Sequence, residues 1–208
     1  PLAEALAQPP SFVEEIMLTL FEKQIAKHQP DFVGFTVPFP GNLLSALRCS
    51  KWLRSHYPNT KIVMGGGYVN TELRSISDKR LFDYIDYLTF DDGEIPLLNL
   101  LTGKALVRTL FVEKGEINRE SFESKVNHPF KQTIAPTYDG LLQNNYINFF
   151  DMLNPMHALW SNGKWNKMML AHGCYWSKCS FCDGSLDYIG RFEQAPIERI
   201  VDIMEQIM

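Results

Sequence analysis

Three short apolar runs alternate with helical patterns along the first half of the chain, and this alternation limits the fold more than any other feature. Phe32 to Val37, Lys61 to Met64 and Tyr87 to Phe90 each span four to six residues and are bounded by Pro, Gly or Asp. Runs of that length between turn residues read as buried strands. Helical patterns flank them. Ser11 with Glu14 three positions later forms a capping box. Phe12, Ile16, Leu20 and Ile25 then recur at helical spacing until Gln29-Pro30. Leu43 to Ser55 is a second amphipathic stretch, a shorter one runs to about Asp83, and Glu94 to Leu101 ends before Gly103. Strand–helix alternation predicts βαβ units with right-handed crossovers, hence an α/β fold with a small parallel sheet of the doubly wound, flavodoxin-like kind. The opening helix has no strand before it, so a first strand is expected upstream of Pro1.

The pattern changes after residue 104. Val107 to Val112 and the run from Glu116 read as a hairpin turning at Lys114-Gly115. The polar, irregular stretch Asn118 to Met156 reads as a connector. Asn162-Gly163 predicts a second hairpin. Trp165 to Ala171 reads as a strand, and a helix begins near Pro196. The expected organisation is an α/β domain over 1–104, a hairpin and connector over 105–156, and a further domain's beginning over 157–208. The chain starts with Pro1, and its last segment reads as a helix still running at Met208. A piece of a longer protein is therefore expected, one that carries a site and no turnover of its own.

Charge and composition narrow the function. The 208 residues carry 20 basic and 24 acidic side chains, a formal net charge of −4. That argues against broad binding to nucleic acid or an anionic membrane. No apolar run approaches the ~20 residues that span a bilayer. Asp91, Asp92 and Glu94 read as a solvated helix N-terminus. Trp160, Trp165, Tyr175 and Trp176 read as core or junction aromatics.

Of four cysteines, Cys49 stands alone in a helical pattern and reads as a buried thiol, while Cys174, Cys179 and Cys182 fall within nine residues. A disulfide scaffold spreads its cysteines, whereas a tight cluster reads as metal binding in a reducing cytoplasm. Thiolates suit zinc, copper(I) and iron–sulfur clusters. Three of them on one loop can wrap one face of a cubane, leaving one iron without a protein ligand. Structural zinc wants four ligands, which here requires His172 as the fourth. Empty thiols are the third reading.

The run Gly173-Cys174, then Cys179-Ser180-Phe181-Cys182 after a strand, resembles the signature of the radical S-adenosylmethionine enzymes. In that family three cysteines hold a four-iron four-sulfur cluster, its unique iron binds S-adenosylmethionine, and reduction releases a 5′-deoxyadenosyl radical. The resemblance implies Cys174, Cys179 and Cys182 as cluster ligands and Phe181 as a neighbour of the adenine. It also implies a substrate, unknown here, and a reductant such as flavodoxin or ferredoxin. Four residues separate Cys174 from Cys179, where the family's commonest spacing is three.

Val33-Gly34-Phe35-Thr36 and Gly65-Gly66-Gly67, each at a strand end, resemble the cobalamin-binding-like domain that precedes such a barrel. Ligands of open α/β sheets sit at the carboxyl ends of strands. The resemblance thus implies Thr36, Gly65, Gly66 and Gly67 as contacts for the nucleotide tail of cobalamin. None of the five histidines sits in a cobalt-ligating motif. The leading expectation is therefore a radical S-adenosylmethionine iron–sulfur enzyme fragment, with cobalamin as a candidate further cofactor. The alternative is a non-catalytic nucleotide- or cobalamin-binding module with structural zinc. Exposed sheet edges make a dimer of the fragment an expected by-product.

Overall fold

In the computed structural model, which describes residues 2–123, 126–141, 145, 156 and 168–207, Ser11 opens the first long helix as its capping box predicts. The Ser11 N–H donates to Glu14 Oε2 at 2.7 Å, and the Glu14 N–H donates to Ser11 Oγ at 3.4 Å. The Ser11 amide and hydroxyl hold the Glu14 carboxyl below its usual range. The helix, α2 (Phe12–His28), stops at Gln29 in a left-handed conformation. A six-residue helix, α1 (Leu2–Ala7), precedes it.

The chain then alternates as expected through β1 (Phe32–Thr36), α3 (Pro40–His56), β2 (Lys61–Gly65), α4 (Gly67–Thr71), β3 (Tyr87–Thr89) and α5 (Glu94–Leu101), except that the helical stretch expected to about Asp83 stops at Thr71, with only a 3-10 turn over Lys79–Asp83. Strands β1, β2 and β3 pair in parallel, with Phe32 opposite Lys61 and Met64 opposite Leu88. Asp86 pins the second pairing, because its carboxylate accepts the Ile62 N–H at 2.8 Å and faces Arg54 at 3.0 Å. The core of this sheet is Leu47, Leu53, Ile62, Met64, Leu88 and Phe90, all 1% exposed or less. Burial on that scale stabilises by roughly 1.5–3 kcal/mol for each large side chain.

Two features depart from the sequence reading. The hairpin of β4 (Thr109–Glu113) and β5 (Glu116–Asn118) turns at Lys114-Gly115, both at positive φ, as expected. It is not a free-standing connector element: β4 pairs antiparallel with β3, Leu88 opposite Leu110. The sheet is therefore mixed, in the order β1-β2-β3-β4-β5. Burial of Leu110 and Thr109 against β3 drives this, a partnership between distant segments that no local pattern displays. On α2, Ile25 is buried, whereas Phe12, Ile16 and Leu20 are exposed.

The chain divides into two compact units, residues 1–128 and 129–208. The second has β6 (Ala171–His172), α6 (Asp187–Gly190), β7 (Glu193–Gln194) and α7 (Ile197–Ile207). β6 and β7 pair antiparallel, Ala171 opposite Gln194. The segment 130–133 is tied into this unit, since the Phe130 N–H donates to Glu193 Oε1 and the Arg199 guanidinium donates twice to the Thr133 carbonyl. A strand, the cysteine loop and a helix follow in the expected order, with β7 inserted before α7. No barrel is seen among the described residues. The Asn162-Gly163 hairpin, Trp160, Trp165 and the first three residues of the strand expected over Trp165–Ala171 lie outside the described residues; of the other four, only Ala171 is in a strand, so the expected strand is cut to Ala171–His172. No helix among those described is long and apolar enough to cross a membrane.

Candidate functional site

The cysteines lie on the loop between β6 and α6, in the second unit. Gly173 starts it at φ 76°, and the Cys174 N–H donates to the Ile189 carbonyl at 3.1 Å. That bond folds the loop back on its own far end. Cys182 N–H closes a turn on the Cys179 carbonyl at 3.2 Å. Cys174 and Cys179 are half-buried and Cys182 is exposed, all three as free thiols. The Ser177 N–H approaches the Cys174 sulfur at 3.4 Å, and this amide, followed by that of Trp176, holds the Cys174 thiol below its ordinary pKa. Amide donors stabilise the thiolate, which is both the nucleophile and the metal-binding form.

The three sulfurs are not gathered about a common point: among the described residues no three His, Cys, Asp or Glu side chains converge as a metal site. Donor chemistry nevertheless fits an iron–sulfur cluster, because the loop offers three soft thiolate ligands and amide groups aimed at one of them. Structural zinc would need His172 as its fourth ligand; its Nε2 is engaged with the Tyr188 carbonyl at 2.8 Å, the kind of bond that orients a ligating imidazole through its other nitrogen. Phe181 is 90% exposed at the loop's tip. Tyr175 and Trp176 are exposed too, so neither is the core aromatic expected.

Thr36 and Gly65 face each other at the carboxyl ends of β1 and β2 in the first unit. Thr36 is exposed. The glycines have an internal reason to be glycine. A Cβ on Gly65 would come within 2.9 Å of Thr89 Oγ1. On Gly66, at φ 105°, it would come within 2.9 Å of the Val37 N and O, and on Gly67 within 3.1 Å of the Pro38 carbonyl. The two strand-end loops therefore pack backbone to backbone here. The Val37 N–H donates to the Gly65 carbonyl at 2.7 Å and the Tyr68 N–H to the Val37 carbonyl at 3.0 Å. What this edge offers a ligand is the Thr36 hydroxyl beside a close-packed floor.

Asp91, at the end of β3, departs from the solvated reading. Its carboxylate is 6% exposed and pairs with Arg74 and with Arg108, the latter at 3.0 Å. The backbone at Asp91 is left-handed, φ 63°, and is clasped by Asn70 through two reciprocal bonds of 2.8 and 3.3 Å. By sequence, Gly173 stands out only as part of the cysteine signature, and Gly190 does not stand out. A Cβ on the first would strike the Arg191 carbonyl, and one on the second would strike the Gly184 carbonyl.

No protein-family model matches the chain. A curated protein does: the alignment spans 211 positions, takes in 97% of this chain and 29% of the relative, and shows 22% identity. That relative is the cobalamin-dependent radical SAM methyltransferase TokK of Streptomyces tokunonensis. The chain is distantly similar to it. It spans less than a third of the relative's length.

Cys49 and Cys174 differ enough to be told apart chemically. Desolvation raises Cys49 to about 11, opposite to Cys174. With limiting iodoacetamide at about pH 7, Cys174 is expected to label ahead of Cys49, which reacts only after unfolding. Peptide mass spectrometry reads the order, and Cys49 labelling first in the folded protein would contradict the burial and hydrogen bonding described above.

Proposed function

We propose that this chain supplies the cofactor-holding part of a cobalamin-dependent radical S-adenosylmethionine enzyme. In this reading Cys174, Cys179 and Cys182 are the thiolate ligands of a four-iron four-sulfur cluster. Phe181 presents its ring to the adenine of S-adenosylmethionine. The first unit is a cobalamin-binding-like domain that meets the nucleotide tail at Thr36 and the Gly65–Gly67 edge. When bound, the cluster supplies the electron for reductive cleavage of the S-adenosylmethionine sulfonium.

The chain's own residues do the rest. The Ser177 and Trp176 amides lower the Cys174 pKa and so favour its thiolate. Tyr175, next to Cys174 in sequence, packs edge-on against Phe192 at 6.0 Å. Methyl transfer is the reaction class proposed, on the strength of the relative's name. The observation that carries the reading is the set of three soft ligands on one short loop, with backbone amides turned onto the Cys174 sulfur.

Anaerobic reconstitution of the chain with iron and sulfide tests it. Uptake of roughly four irons per chain with a broad charge-transfer absorbance is expected. Cys179→Ala should abolish both. Stoichiometric zinc with no iron uptake would overturn the proposal.

A further inference from the structure

A recess of about 330 Å³ lies in the first unit among α1, α3 and the segment 73–84. Its interior is apolar, walled by Leu6, Leu43, Leu47, Leu73, Ile76 and Leu81. The volume falls within the ~300–1,000 Å³ of small-molecule sites, and even ~150 Å³ of apolar space admits benzene.

One wall is α1, through Leu2, Ala3 and Leu6. A six-residue helix has no stability of its own in water. A clasp at its C-terminal end holds it in place. Arg48, 7% exposed, donates to the carbonyls of Ala5 (2.6 Å), Leu6 (3.3 Å) and Gln8 (2.7 Å), and to Glu14 Oε1 (3.0 Å). Lys51 Nζ adds a bond to the Leu6 carbonyl at 2.8 Å. Both cations sit at the negative end of the helix dipole. Leu2, toward the other end, is 40% exposed.

The mouth carries charge. Arg80 gives its Nε to both oxygens of Asp78 at 2.9 and 3.0 Å, and Asp83 adds a second carboxylate beside it. Two carboxylates face one guanidinium, so the rim is net negative. A negative rim over an apolar interior selects a hydrocarbon body with one positive group.

We propose that this recess binds a small apolar amine, its hydrocarbon body among the leucines and its ammonium at the Asp78–Asp83 mouth, with α1 as one wall. The test titrates the full chain with 2-phenylethylamine, and with phenylacetate and toluene as charge controls, reading backbone amide shifts by NMR. Saturable shifts centred on Leu6, Leu43 and Ile76 are expected, with the amine at least tenfold tighter than the acid. Asp83→Asn should narrow that gap. Ala3→Phe, at an exposed position of α1, should fill the recess and remove binding without lowering the melting temperature. Ile76→Phe repeats the test from the opposite wall. An equal response to amine and acid, toluene binding as tightly as the amine, no saturable response, or binding that survives both filling variants would each overturn the proposal.

Discussion

Gly173→Ala is expected to abolish iron uptake by the cysteine loop while leaving the first unit's unfolding transition in place. Residue 173 sits at φ 76°, where a side chain costs roughly 1–2 kcal/mol from Cβ–backbone crowding alone. The second cost is larger, because the new Cβ runs into the Arg191 carbonyl and approaches the Ile189 carbonyl at 3.1 Å. Both obstacles are backbone, so no rotamer change relieves them. The loop must lift off, and the Cys174 N–H then loses the Ile189 carbonyl that sets where the first ligand stands. Left-handed strain alone shifts the loop's folded fraction about five- to thirtyfold, and the clash adds to that. Ser180→Ala is the control: it lies on the same loop, between two of the cysteines, and is exposed. Equal iron content in Gly173→Ala and Ser180→Ala after reconstitution would show that this loop geometry is not the one that takes up the metal.

Local signals in the sequence were enough for local structure. The Ser11–Glu14 box, the strand–helix alternation and the Lys114-Gly115 turn each depend on residues within a few positions of one another, and each appears where the pattern places it. Cys49 is buried as its helical neighbours imply. What stayed illegible depends on distant pairings. β4 joins β3 because Leu110 needs cover, and nothing near residue 110 says which strand provides it. Gly173 looks like any turn glycine until the Arg191 carbonyl arrives eighteen residues later. Gly65 to Gly67 suggest an open cradle in sequence, yet the bare backbone there is met by Thr89, Val37 and Pro38. The sequence puts three cysteines close together, while the positions of their sulfurs depend on how the loop folds back onto the Ile189 carbonyl.

Asp91 is the residue where the local reading failed most consequentially, and its removal carries the largest stability effect expected in the first unit. As a carboxylate three positions before Glu94 it resembles a helix-end charge. In the fold it neutralises Arg108, 6% exposed, and Arg74, whose guanidinium also lies 5.5 and 5.7 Å from the ring centres of Phe90 and Phe122. Arg108 itself sits at φ 43° and hydrogen-bonds the Val126 carbonyl and Asn127. One carboxylate therefore ties the end of β3 to α4's flank, to β4 and to segment 126–127. Asp91→Asn keeps the shape and tolerates the left-handed backbone, so the change is in charge alone. It takes the Asp91 carboxylate away from two guanidiniums, and breaking a buried pair from one side costs about 3–5 kcal/mol. For a domain of this size that is ~10–20 °C of melting temperature. Arg108→Leu in the Asp91→Asn background should recover part of the loss, because it removes one orphaned cation; that coupling is what separates an ion-pair role from a packing role. A fall of under about 1 kcal/mol for Asp91→Asn in denaturant unfolding, the scale of an exposed pair, would mean that Asp91 is solvated after all and that the packing of Leu110 and Phe90, rather than this ion cluster, holds β4 against β3.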